Sequence, residues 1–146
     1  MIDVTLFTDG ACKGNPGPGG WGVLMILGDQ EIEIFGGHPN TTNNRMELLA
    51  VINGLKEVKT NSDICVFTDS KYVKNGIENW IDKWIENGWQ TSSKKPVANK
   101  DLWIELNDLA KTKVIEWSWV KGHSGNWGNE RADYLANKGV KLNSDI

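Results

Sequence analysis

Two stretches of this chain repeat one short alternation of apolar and polar positions: Val4-Thr5-Leu6-Phe7-Thr8-Asp9 and Ile64-Cys65-Val66-Phe67-Thr68-Asp69, each ending on Thr-Asp. The period of two predicts strands that deliver an aspartate at their last position. Side chains alternate faces along a strand, so Phe7 shares a face with Asp9, and Phe67 with Asp69. If the two strands are parallel neighbours in register, the two carboxylates stand side by side. Such a pair is unfavourable unless something positive sits between them.

The remaining pattern predicts strands at 3–9, 21–27 and 30–36, with a glycine and proline loop over 10–20 and a hairpin turn at Gly28-Asp29. Leu48, Leu49, Ile52 and Leu55 recur at helical spacing within 42–58, with Asn43 or Asn44 as the cap. The second aspartate strand follows at 63–69, then helical stretches at 70–77 and 80–86 stopped by Gly88, and an irregular polar loop over 89–98. A helix is predicted over 99–111, a strand apolar on both faces over 113–120, and a last helix over 126–138. This order describes an α/β fold: a five-stranded mixed sheet, three antiparallel strands and then two parallel, with helices on its faces. Ligands of such sheets gather beyond the carboxyl ends of parallel strands, where Asp9 and Asp69 fall.

Composition narrows this picture without redirecting it. The 146 residues suit one domain spanning 1–146, with 142–146 expected as a flexible tail. A net charge of -3 argues against holding nucleic acid by bulk charge, but leaves room for a local basic patch. Cys12 and Cys65 form no Cys-x-x-Cys pair, and no run is long enough to span a bilayer. A cytoplasmic protein with free thiols and no membrane partner is expected. Eight tryptophans stand out, and the turn-apart spacing of Trp80 and Trp84 beside Ile81 and Ile85 predicts packing.

Two further acids fit the same place. Glu47 lies on a helix stripe with Val51, Gly54 and Val58, which is no solvent face, and Asp133 sits beside the core-facing Ala132, Leu135 and Ala136. Each acid alone has an ordinary explanation as a turn, cap or solvated charge, but four together point to clustered hard oxygen ligands suited to magnesium or manganese. The Gly17-Pro18-Gly19-Gly20-Trp21-Gly22 segment matches a dinucleotide fingerprint but precedes a strand and not a helix, which excludes that use. Gly10, Gly14 and Gly17 instead predict a backbone that a bulky polymer can approach.

Several motifs in order, Thr8-Asp9-Gly10, Gly14-Asn15-Pro16-Gly17, Thr41-Thr42-Asn43-Asn44-Arg45-Met46-Glu47, Thr68-Asp69-Ser70, Gly88-Trp89, Val120-Lys121-Gly122-His123-Ser124-Gly125 and Asn129-Glu130-Arg131-Ala132-Asp133, closely resemble bacterial type 1 ribonuclease H over about residues 3–139. The resemblance implies the ribonuclease H-like fold and an endonuclease that hydrolyses the RNA strand of an RNA/DNA hybrid, leaving 5′-phosphate and 3′-hydroxyl ends. It implies two magnesium ions, with manganese as a substitute, on Asp9, Glu47, Asp69 and Asp133, and a proton-transfer and product-release role for His123. Cys12, Asn15 and Asn44 match positions that touch the RNA strand. Thr42, Asn99 and, by position, Asn40 match a pocket for a DNA phosphate, and Tyr72, Trp80 and Ser92 match the channel beside the DNA sugars. A monomer is expected.

The chain departs from that pattern in two places. Asn40 stands where relatives often carry arginine, which removes a cation from the phosphate pocket. The 80–100 segment matches the family's basic protrusion, yet holds only Lys83, Lys94, Lys95 and Lys100 against Asp82 and Glu86. Weaker hybrid binding and a shallower salt dependence are expected. Two other readings share some of these features: a noncatalytic hybrid-binding module, and a DNA-cutting nuclease of the same fold.

Overall fold

A computed structural model describes residues 1–120 and 126–144. Strands β1 (Val4–Cys12), β2 (Gly17–Leu27) and β3 (Gln30–Thr41) form an antiparallel meander, and β4 (Asp63–Thr68) and β5 (Val114–Trp119) add in parallel on the other side of β1. The sheet order is β3-β2-β1-β4-β5, as the element order implied. The β1–β4 register pairs Phe7 with Phe67, and their rings stack at 4.8 Å. Two residues further on, the same register sets Asp9 beside Asp69.

Helix α1 (Asn43–Lys56) lies across one face and buries Leu48, Val51, Ile52 and Leu55. Its cap is Thr42, whose hydroxyl accepts the Arg45 N–H, and not Asn43 or Asn44. Threonine wins because its extended backbone lets the short side chain turn back onto the first turn. Helix α4 (Lys100–Lys111) packs against α1 on the same side and buries Leu102, Trp103 and Leu106. On the opposite face, α5 (Trp127–Ser144) crosses β1, β2 and β3. The helix keeps its hydrogen bonding through Leu142 to Ser144, where a tail was expected to begin.

Three features differ from the sequence reading. The 10–20 stretch is mostly strand, with only a short turn between β1 and β2, because Gly19, Gly20 and Gly22 pair with β1. A Cβ at Gly20 or Gly22 would collide with the α5 backbone, so these glycines let helix and sheet approach. Gly10 and Gly17 likewise face the chain's own backbone, at Glu47 and Lys13, and not an open surface for a polymer.

Second, the 70–86 region is one run: α2 (Lys71–Asn75), a π-helical turn (Gly76–Trp80) and α3 (Ile81–Glu86). The wide turn brings Gly76 flat against the Trp103 indole, where any side chain would clash. Third, β5 is an edge strand and not a doubly buried one. Val114 is 62% exposed, and α5 packs on β1, β2 and β3. Its Trp117 and Trp119 stack on each other, with centroids 5.4 Å apart, and pack against the core on the α1 side.

Candidate active site

The carboxyl ends of β1 and β4 meet the second turn of α1 and the side of α5 in a cleft of about 320 Å³. Its lining includes Asp9, Gly10, Asn44, Glu47, Asp69, Lys71, Tyr72 and Asp133. Asp9, Glu47 and Asp69 each offer an oxygen within 4.8 Å of the others. Asp133, on α5, lines the same cleft. The four acids, 124 residues apart at the extremes of the sequence, therefore share one cleft.

Local structure explains each placement. Asp9 ends the alternating part of β1, and its carboxylate accepts the Gly10 N–H at 2.9 Å. Glu47 can lie close because Gly10 has no side chain to hold α1 away. Past Asp69 the chain is fixed by two short bonds: Thr68 Oγ1 accepts the Ser70 N–H at 3.1 Å, and Ser70 Oγ caps α2 by accepting the Val73 N–H at 3.1 Å. Asp69 is thereby held between two anchored residues.

The electrostatics are unfavourable without a cation. Burial, followed by the charges of Glu47 and Asp69, pushes the Asp9 carboxyl up to about 10. Burial and Asp69 push Glu47 up to about 8. Glu47 Oε1 is buried with no hydrogen-bond partner among the described residues, an acceptor with nothing to accept. A set of hard oxygen donors, one of them orphaned, fits a divalent cation.

Around the acids, the other expected site residues fall into two groups. Near the β1–β2 turn, Asn15 Oδ1 accepts the Asn43 N–H at 2.8 Å, which ties the turn to the start of α1. Cys12 Sγ is half-buried and donates to the Thr41 carbonyl at 3.4 Å. Asn40 is exposed near the end of β3, its N–H bonded to His38 Nδ1 at 3.1 Å, which confines that histidine to a local role.

Toward α4, Asn99 adopts a left-handed backbone with φ of 60° and donates to Tyr72 Oη at 3.0 Å. Trp103 Nε1 donates to the same oxygen at 3.0 Å, and Trp80 meets the Tyr72 ring edge-on at 6.0 Å. Ser92 lies apart, in a separate hollow of about 250 Å³ with Asn87, Gln90, Thr91 and Lys94. His123 lies outside the described residues.

Two contributors escaped the sequence reading. Arg45 Nη1 donates to Asn99 Oδ1 at 3.2 Å while both guanidinium nitrogens bind Asp101, at 3.0 and 2.8 Å, so it braces the loop that presents Asn99. Arg45 holds the Asp101 carboxyl below the usual range. Its only signal in the sequence was its place between the cap Thr42 and Glu47. Lys71 lines the acidic cleft directly after Thr68-Asp69-Ser70, and a cation beside a strand-end acid was the available clue.

Comparison with known proteins agrees with this geometry. A family model for RNase H matches residues 1–141. Ribonuclease HI of Neisseria meningitidis serogroup B is 62% identical over 137 residues, 94% of either chain. Ribonuclease H of Cupriavidus necator is 56% identical over 141 residues, 97% of either chain. Among solved structures, LC9-RNase H1, described as a type 1 RNase H with the type 2 active-site motif, superposes with a TM-score of 0.85 at 31% identity, over 96% of this chain and 72% of its own. With the match running through β1, α1, β4 and α5, the elements that carry the four acids, the chain belongs to the RNase H family.

Proposed function

We propose that the protein is an endonuclease that hydrolyses the RNA strand of RNA/DNA hybrids and leaves 5′-phosphate and 3′-hydroxyl ends. The observation that carries this reading is the convergence of Asp9, Glu47 and Asp69 within 4.8 Å at the carboxyl ends of two parallel strands. Asp9, Glu47, Asp69 and Asp133 are the residues that would hold magnesium, two ions in the working state. When bound, these ions supply positive charge for the attacking and leaving oxygens of phosphodiester cleavage.

The chain's own residues do the rest. The hydrogen bonds that flank Asp69 hold that stretch of chain in place before substrate arrives, so little reorganisation is needed there at the reaction step. Cys12, Asn15 and Asn44 would contact the 2′-hydroxyls by which RNA is told from DNA. Thr42 and Asn99 would hold a DNA phosphate, with Arg45 bracing Asn99 and Asn40 contributing no charge. Tyr72, Trp80 and Ser92 would border the DNA sugars. His123 is assigned proton transfer and product release.

We take the protein to act as a cytoplasmic monomer built as one domain. Among the described residues, no helix is long and apolar enough to cross a membrane. The test is direct: one labelled RNA/DNA hybrid is incubated beside matching DNA and RNA duplexes, with and without magnesium. Cleavage confined to the RNA of the hybrid and dependent on magnesium is expected. Binding without cleavage would make the protein a hybrid-binding module, and cleavage of the DNA duplex would make it a nuclease of another specificity.

A further inference from the structure

The sheet has three parallel strands, β1, β4 and β5, and therefore two adjacent crevices at their carboxyl ends. The first, between β1 and β4, holds the acids. The second, between β4 and β5, opens into a groove of about 420 Å³ lined by Thr68, Asp69, Ser70, Lys71, Lys74, Trp119 and Val120. Asp69, Ser70 and Lys71 line both, so the groove continues the acidic cleft.

We propose that this second groove is a phosphate subsite for the RNA strand, receiving a phosphodiester next to the cleaved one between the ammonium groups of Lys71 and Lys74 and the edge of Trp119. The proposal rests on the reading of the protein as a hybrid-cutting enzyme.

The argument is one of charge and reach. Lys71 and Lys74 are three residues apart on α2 and so present their side chains on one side of it. The salt bridges found among the described residues do not involve either lysine, so both ammonium groups are available to a mobile anion. Lys74 is half-buried in the groove wall, which reduces the entropy lost when it meets a phosphate.

Asp69 offers an oxygen to the group formed with Asp9 and Glu47, and against this one acid the groove's lining sets two cations, Lys71 and Lys74. A strand laid across the acids would have its scissile phosphate matched by the cations those acids would hold, whereas the neighbouring phosphate would have no such partner and would need one from the protein. The location also accounts for the charge missing elsewhere. With Asn40 neutral and the 80–100 segment only weakly basic, cations beside the chemistry carry more of the grip.

The test uses a hybrid whose RNA strand is DNA except for four ribonucleotides, so that the cleavage position fixes the register. Binding is measured with calcium in place of magnesium, and a single neutral methylphosphonate is moved along the linkages of that strand. In the wild-type protein, one linkage next to the cleaved one is expected to lose about fivefold in affinity when neutralised. Lys74→Gln is expected to lose a similar factor on the unmodified hybrid and to flatten the salt slope by about 0.9. It should also be indifferent to the methylphosphonate at that linkage, while Lys74→Arg keeps the wild-type pattern.

Equal penalties in wild type and Lys74→Gln at every linkage would overturn the subsite. Lys71→Gln provides the same comparison if Lys74→Gln fails to fold by its melting curve. A wild-type protein that neither binds nor cuts the unmodified hybrid sinks the functional reading itself, which separates the two failures.

Discussion

The acidic cleft and the aromatic cluster beside it are built to opposite specifications, although they share Tyr72. Around Trp103, which is fully buried, the indole of Trp84 and the ring of Tyr72 pack with centroids 5.4 Å away, Trp84 reaches on to Trp80 and Trp89, and the Trp103 N–H has its acceptor. The cluster is satisfied in the folded protein alone. In the cleft, three acids crowd together, two of their carboxyls are driven far above the ordinary range, and one buried oxygen has no partner among the described residues. The cluster therefore contributes stability, while the cleft spends some of it on readiness to bind cations, and the two effects can be separated by experiment.

The largest expected effect is chemical. Asp9→Asn should reduce RNA cleavage by at least about a thousandfold, the scale of several kcal/mol of lost metal-borne stabilisation, in a single-turnover assay with magnesium. The same variant should melt higher than wild type in the absence of divalent ions, because a buried repulsion is gone. Near-normal cleavage would break the metal reading. Trp103→Ala tests the other side. It should cost about 3–5 kcal/mol in denaturant unfolding, yet leave the rise in melting temperature caused by magnesium intact.

Magnesium itself should stabilise the wild type by about 2–3 kcal/mol at a hundred times its dissociation constant, and much less in Asp9→Asn. The pH dependence has a defined sign. Asp9 and Glu47 have folded values above their unfolded ones, so the folded state binds more protons between them. Their contribution is greatest below about pH 4 and is lost as pH rises through about 8 and then about 10. Without divalent ions, the stability difference between wild type and the Asp9→Asn, Glu47→Gln double variant should therefore widen against the wild type from pH 4 to pH 10. A flat difference in thermal melts would show that neither burial nor mutual repulsion raises these carboxyls.

The smallest effect is the salt response of hybrid binding. The plot of log affinity against log salt should be shallower than for relatives with a strongly basic protrusion, by about 0.9 for each phosphate left without a cation. An equal slope would mean that the missing charge is made up elsewhere on the surface.

Much of the fold was legible because the sheet's patterns are local. The period of two in Val4–Asp9 and Ile64–Asp69, the Gly28-Asp29 turn and the helical stripe through Glu47, Val51 and Gly54 all survive in the structure, and they bring three of the acids, Asp9, Glu47 and Asp69, to one cleft. The errors came where a residue's meaning depends on a distant partner. The glycines of 17–20 read as loop until β1 and α5 are seen pressing on either side of them. The strand expected at 113–120 read as buried because hydrophobicity does not record that α5 covers other strands.

The sequence alone determined the alternation that makes the strands, the helical stripes, and the identity and order of the acids. These depend on steric and hydrophobic preferences spanning a few residues. Only the tertiary structure decided the parallel register that sets Asp9 beside Asp69, the bracing of Asn99 by Arg45 from 54 positions away, and the second crevice that gathers Lys71, Lys74 and Trp119. Those arrangements are set by how layers pack. Packing is a property of surfaces brought together from across the chain, and no window of sequence contains it.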